Sequence, residues 1–351
     1  MTYSNTKRND ESKEFDYLCV DNFMTNLVDA KVLSTAFELG LIDFLIEKKS
    51  ATFSFLQREL ATEAHGTYIL LRLLLTNGVI EELNGSIKLT QQFIHALEYR
   101  DLLELKLETT EPAASDLIDL FSDLVNAPDR FMQKSRFLGS FRYDQCYHYT
   151  EENYETTKQW MRMTTVLTKY EALVCMKYTD FGPYKRMLDM GGNSGEFVLR
   201  ICKKYPNINA TVFDLPLVCQ VGLEHIGSEP ESNRISFIKG NALTDMLPKG
   251  FDLITFKSML HDWPENEAKH FIARASQSLV PEGTLLIFER GPLEIGSTTV
   301  PYSMIPALLF FRFFRPPTIY ADHLKNLGFH DIKMQRIELE TPFYLVKARK
   351  R

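Results

Sequence analysis

Beyond Gly182-Pro183 the chain alternates short apolar runs with amphipathic stretches, and this alternation restricts the possible folds more than any other feature. The apolar runs are 186–190, 210–213, 235–238, 253–256 and 285–288, and stretches such as 195–204 and 265–279 carry apolar residues at helical spacing. Runs this short suit buried strands better than helices. Strand and helix in repetition predict a parallel sheet with helices on both faces. Two further runs, 332–337 and 343–347, predict a terminal hairpin.

Before Gly182 the pattern is helical. Residues 28–45 have apolar residues at helical spacing, 52–60 form a short amphipathic stretch, and 65–76 a third that Asn77-Gly78 stops. Residues 79–89 alternate about Asn84-Gly85, a hairpin signal. Helices followed by a hairpin are the pattern of a winged helix, a fold that can read DNA. Here the third helix has one cation, Arg72, among Tyr68, Ile69, Leu70, Leu71, Leu73, Leu74 and Leu75. A groove-reading helix needs a polar, basic face, so this one is expected to face a core or a second subunit. The formal net charge of −6 also argues against a nucleic-acid partner. Residues 106–180 read as further helices rich in aromatics and Met, among them Phe141, Trp160 and Met161, of which a few could wall a pocket.

With 44% hydrophobic residues the chain can bury an ordinary core without metal or disulfide staples. Its five cysteines have no CxxC spacing and read as reduced thiols. The opening MTYSNTKRNDESKEFD has no apolar run and reads as a frayed terminus rather than a signal peptide. The apolar stretch 304–311 ends at Arg312, well short of the roughly 20 residues that span a bilayer. A cytoplasmic protein with no membrane association and no metal site is expected.

Ligands of open parallel sheets sit beyond the carboxyl ends of the strands. The first run ends in Asp189-Met190-Gly191-Gly192-Asn193-Ser194-Gly195, a glycine turn that lets backbone approach a ligand at a helix N-terminus. It has neither dinucleotide GxGxxG nor phosphate-loop spacing. Asp189, Gly191, Gly192 and Gly195 are its candidate cofactor-binding residues. The second run ends in Asp214-Leu215-Pro216, where Asp214 suits either ribose hydroxyls or a helix start. The third ends in Gly240-Asn241-Ala242, an amide for an adenine edge or a plain turn. The fourth ends in Lys257-Ser258-Met259-Leu260-His261-Asp262-Trp263-Pro264, and the fifth in Glu289-Arg290. In the fourth, Asp262 onward could simply cap the next helix.

These blocks, LDMGGNSGEF, VFDLP, FKSMLHDWPENEA and LLIFE, resemble the signatures of small-molecule S-adenosylmethionine-dependent O-methyltransferases of the caffeic acid, hydroxyindole and bacterial secondary-metabolite types. The likeness covers nearly the whole chain. It implies a winged-helix-like dimerisation domain (1–105), a helical linker contributing to the substrate pocket (106–180) and a Rossmann-like cofactor domain (181–351), assembled as a homodimer through the first. It also implies that Gly191 lies against S-adenosylmethionine, that Asp214 holds the ribose and that Asn241 and Ala242 lie near the adenine. Lys257 and Trp263 line the cofactor site, His261 is the base and Glu289 orients it. Three places depart from the family pattern. Asn193 stands for a third glycine, Asn241 stands where Asp is common, and 313–318 offers no second Glu.

The mechanism so implied uses His261 to raise the nucleophilicity of an acceptor hydroxyl, because imidazole titrates near neutral pH. The acceptor pocket is expected from the aromatic helices and from Ser303 to Phe314, with Phe310, Phe311, Phe313 and Phe314 suited to a flat molecule. Rival readings are a cofactor-binding relative with other chemistry, suggested by Arg290 and the absent Glu, a DNA-binding regulator, and methylation at carbon or nitrogen.

Overall fold

A computed structural model describes residues 15–296 and 300–351. The N-terminal segment before Phe15 and the side chain of Phe311 lie outside the described residues. The chain forms two compact units, one of residues 15–137 with 295–309, the other of Leu138–Glu294 with Phe310–Arg351.

In the first unit α1 (Leu27–Glu38) and α2 (Leu41–Lys48) replace the single helix predicted over 28–45. Gly40 lies between them in the left-handed region (φ 73°) and ends the first helix. A short strand β1 (Ala51–Thr52) leads into α3 (Phe53–Glu59) and α4 (Ala64–Thr76). The starts of α1, α3 and α4 are capped: Asn26, Thr52 and Glu63 accept from the amides of Asp29, Phe55 and Gly66. The hairpin β2 (Ile80–Leu83) and β3 (Ser86–Leu89) turns at Asn84-Gly85, both at positive φ, and β1 completes a three-stranded antiparallel sheet. Then follow α5 (Gln91–Ala96), the long α6 (Arg100–Asn126) and α7 (Pro128–Lys134). The division expected between 105 and 106 therefore falls inside α6. On α4, Leu70, Leu71 and Leu74 are buried while Tyr68 and Ile69 remain more than half exposed.

The second unit opens with α8 (Glu151–Tyr178), capped by Thr150. Strands and helices then alternate as predicted: β4 (Arg186–Met190), α9 (Glu196–Lys204), β5 (Asn209–Asp214), α10 (Pro216–Ile226), β6 (Ile235–Lys239), β7 (Phe251–Lys257), α11 (Glu265–Ser276) and β8 (Leu279–Arg290). After α12 (Ile305–Phe310), which belongs to the first unit except for Phe310, the second unit continues with α13 (Pro317–Asn326) and the predicted hairpin, β9 (His330–Glu338) and β10 (Pro342–Arg349). The sheet order is β6-β5-β4-β7-β8-β10-β9, parallel from β6 to β8, with β10 antiparallel to both neighbours. This is a Rossmann-like sheet. Its core packs β4, β7, β8 and β10 against α11 and α13 through Leu188, Ile254, Phe256, Phe271, Leu285 and Leu324. Burying each such side chain stabilises the unit by about 1.5–3 kcal/mol. Among the described residues no helix is long and apolar enough to cross a membrane.

Candidate active site

Because β6, β5, β4, β7 and β8 run parallel, their carboxyl ends share one rim, and the chain reverses its direction of growth between β4 and β7, where such sheets open a crevice. Backbone bonds tie the ends together: Gly191 N to Phe213 O, Gly240 N to Asp214 O, and Ser258 N to Phe288 O, at 2.9, 2.9 and 3.0 Å. The five predicted strand ends are thus neighbours on one edge.

The glycine turn follows β4. Gly191 has φ 64°, and a Cβ there would lie 2.5 Å from Met259 Cγ, so only glycine lets this turn pass the loop after β7. Asn193 is also left-handed (φ 55°), a conformation Asn tolerates better than most side chains. Its side-chain oxygen accepts from Ser194 N at 2.8 Å and from Thr164 at 3.1 Å, which explains how the turn works without a third glycine. Gly195, at φ 78°, starts α9. Asp189 is buried, and one oxygen takes the Thr255 hydroxyl. The other, Oδ2, has no hydrogen-bond partner among the described residues. Burial raises the Asp189 carboxyl to about 7. A buried carboxylate oxygen without a donor, beside a glycine turn, fits a ligand that carries an amine or hydroxyl.

Asp214 ends β5. Its Oδ2 takes Asn193 N at 2.8 Å and its Oδ1 takes Leu215 N at 2.7 Å. It ties the glycine turn to the residue before α10 but is not that helix's N-cap, which is Leu215 without a side-chain capping bond, and lone pairs remain for a ligand. Burial raises its carboxyl to about 6. After β6, Asn241 accepts from Leu243 N at 2.9 Å, closing a turn, and Ala242 packs on the core. Lys257 at the end of β7 donates to Thr168 at 2.7 Å and pairs with buried Glu171, both on α8. Arg290 pairs with the same Glu171 and donates to Ser258 at 3.0 Å. Trp263 meets Phe271 edge-on at 5.1 Å.

His261 is buried in a short turn after β7. Its Nδ1 donates to Glu289 Oε2 at 2.7 Å. Glu289 Oε1 accepts the amides of Met259 and Leu260 at 2.7 and 2.6 Å. This fixes the Nδ1–H tautomer and leaves Nε2 as the basic nitrogen. Beside Nε2, at 3.4 Å, lies Asp262 Oδ1, and the other oxygen of Asp262 takes the hydroxyl of Tyr143 at 3.0 Å. Burial disfavours the imidazolium, but Asp262 and Glu289 outweigh it, and the net shift of His261 is upward. Burial likewise raises the Asp262 carboxyl. Phe314, from the segment without a second Glu, stands edge-on to the His261 ring at 5.4 Å.

Arg315 donates to the carbonyls of Leu260, at 2.8 Å, and Trp263, bracketing His261 and Asp262. Around Tyr143, Trp160 lies at 5.4 Å, Phe141 lies at 6.3 Å from Trp160, and Phe310 at 5.7 Å from Phe141. Asp262, Tyr143, Glu171 and Arg315 were not legible as site residues. Of the stretch Asp262-Trp263-Pro264, expected to cap the next helix, Pro264 is the N-cap of α11, and Asp262 accepts from Tyr143.

A family model for the O-methyltransferase domain matches residues 120–306, and one for the O-methyltransferase dimerisation domain matches residues 22–92. Acetylserotonin O-methyltransferase of Bos taurus is 31% identical over 185 residues, 51% of this chain and 52% of that protein. The 3-hydroxy-5-methyl-1-naphthoate 3-O-methyltransferase of Streptomyces sahachiroi is 33% identical over 110 residues, 31% of this chain and 32% of that protein. The chain thus spans about half the length, or less, of these curated relatives. Human N-acetylserotonin methyltransferase, solved in complex with SAM, shares the fold with a TM-score of 0.69 at 21% identity, over 99% of each chain.

Proposed function

This chain belongs to the O-methyltransferase family, and on that premise we propose that it transfers a methyl group from S-adenosylmethionine to a hydroxyl of a small aromatic or polyketide-like metabolite. S-adenosylmethionine is the cofactor of this family, and when bound it supplies a methyl group already activated on a sulfonium. The orphaned Oδ2 of Asp189 supports binding of its amine-bearing end, beside the tight turn of Gly191, Gly192 and Gly195, where any Cβ would crowd a neighbouring side chain. Asp214, beside Leu215, takes the ribose hydroxyls. Asn241 and Ala242 flank the adenine, and Lys257 and Trp263 complete the wall.

The acceptor hydroxyl is the weak reactant. His261 accepts its proton at Nε2, while Glu289 keeps Nδ1–H in place and stabilises the imidazolium that forms. Positioned proton transfer of this kind contributes about 10²–10⁴-fold. Arg315 holds the turn that carries the base. The ring cluster of Phe141, Tyr143, Trp160 and Phe310 supports a flat acceptor, with segment 106–180 contributing Trp160 through α8. The matched dimerisation model and the exposed Tyr68 and Ile69 of α4 support a homodimer through the first unit.

The observation that carries this reading is the Glu289–His261 pair on the same rim as the glycine turn and Asp214. The test is incubation with S-adenosylmethionine and a panel of phenols. S-adenosylhomocysteine forming in step with a methyl ether supports it. Absence of that product from every phenol, or a methyl group carried on carbon or nitrogen, refutes it.

A further inference from the structure

His261 stands between two carboxylates, Glu289 at 2.7 Å from Nδ1 and Asp262 at 3.4 Å from Nε2. A base so placed risks being held as imidazolium, because each anion favours its charged form. The two carboxylates are not equivalent. Glu289 has both oxygens bonded, and its charge is spread over two backbone amides and the imidazole. Asp262 lies farther from the ring than a charge-assisted hydrogen bond requires, and its outer oxygen is occupied by Tyr143.

We propose that Tyr143 is a positioning residue for the base: by donating to Asp262 it weakens that carboxylate's hold on a proton at the Nε2 side of His261. The inference rests on the reading of His261 as base. A hydrogen bond stabilises a carboxylate most when the carboxylate stands alone, and less when it already faces a cation. Removing the phenol hydroxyl therefore destabilises the neutral-His261, ionised-Asp262 state more than the protonated pair. The proton of the pair is then held more tightly, whichever residue carries it.

The other charged and titratable groups around the pair are Glu289 and Arg290 from β8, Glu171 from α8, Tyr320 from α13, and Arg315, which bonds the turn on both sides of it. Glu171 is shared by Arg290 and Lys257, and a change at Tyr143 leaves these groups in place. Phenylalanine at this position keeps the edge-on packing against Trp160.

The test is a carbon-13 NMR titration of the His261 ring in the full chain, assigned by its loss in His261→Gln. Tyr143→Phe should move the titration midpoint up by roughly 0.3–1 pH unit, and Asp262→Asn should move it down, since the anion is gone. The acid limb of kcat/KM should follow in the same directions. A 3-fluorotyrosine at position 143, a stronger donor of the same shape, should move the midpoint below wild type and serves if Tyr143→Phe melts early. A purely structural Tyr143 would lower stability and leave the midpoint alone. An unchanged midpoint in folded Tyr143→Phe and in the fluorotyrosine protein, or a shift of the same sign in Tyr143→Phe and Asp262→Asn, overturns the proposal. Undiminished turnover in His261→Gln would instead remove the base reading, and the ring titration would still decide the role of Tyr143.

Discussion

Glu289 accepts the Nδ1 proton of His261 at 2.7 Å with one oxygen, and with the other it takes the amides of the two residues that lead into His261. One carboxylate thus fixes the tautomer of the imidazole and the backbone beneath it. Glu289→Gln keeps the shape but removes the charge. It should lower kcat by at least tens-fold and move the acid limb of the rate profile to lower pH, because a neutral partner no longer favours the imidazolium. Glu289→Ala should also lose about 2–4 kcal/mol of stability, since buried amides go unpaired. Urea unfolding and pH-rate profiles check both.

His261→Ala and His261→Gln should each reduce methyl transfer by roughly 10²–10⁴-fold at neutral pH, the usual contribution of a positioned base. KM for the cofactor should stay near that of wild type. Turnover within a few-fold of wild type in either variant would show that the acceptor loses its proton without His261.

Arg315 bonds the carbonyls on both sides of His261-Asp262, so its loss should loosen the turn that carries His261, the proposed base, without touching the cofactor. Arg315→Ala should lower kcat by at least tenfold while cofactor affinity changes little, and added guanidinium should restore part of the rate. A kcat equal to wild type, or a loss confined to cofactor affinity, would contradict this role.

The sheet was legible because its strands are short, apolar and separated by helical patterns, so that all five parallel strands fall within two residues of expectation at their carboxyl ends. That the candidate residues share one rim was legible for the same reason: a parallel sheet brings consecutive strand ends to one edge. Legibility stopped where contacts join distant segments. Tyr143 and Asp262 are 119 residues apart, as are Arg290 and Glu171, and no local pattern links either pair. Arg290, taken from the sequence as a reason to consider other chemistry, is bound in that ion pair. The missing second Glu was visible in the sequence, but that Phe314 faces the imidazole was not. The break at Gly40 was missed because helical spacing continues across it; one left-handed residue redirects the chain without changing the apolar pattern.

Burial raises Asp189 to about 7 and Asp214 to about 6, so cofactor binding through them should be pH-dependent. On the proposed roles, the ionised forms would accept hydrogen bonds from the amine-bearing end and the ribose, and the protonated forms would accept fewer. Affinity should therefore be greatest above pH 7 and weaken as pH falls through 7 and then 6, by about tenfold per unit once one proton must be released. Asp214→Asn should weaken binding above about pH 6, approach wild type below it and so remove the lower step. A dissociation constant flat from pH 8 to 5 would contradict the assignment.

The most direct measurement needs no knowledge of the acceptor: calorimetric titration of S-adenosylmethionine into the wild-type chain, Asp214→Ala and His261→Ala at pH 8. The account predicts saturable binding to wild type, the same affinity within about threefold for His261→Ala, and at least tenfold weaker binding for Asp214→Ala, the loss of a charged acceptor. No binding to wild type, or an Asp214→Ala protein that binds as wild type does, would contradict a cofactor held on this rim.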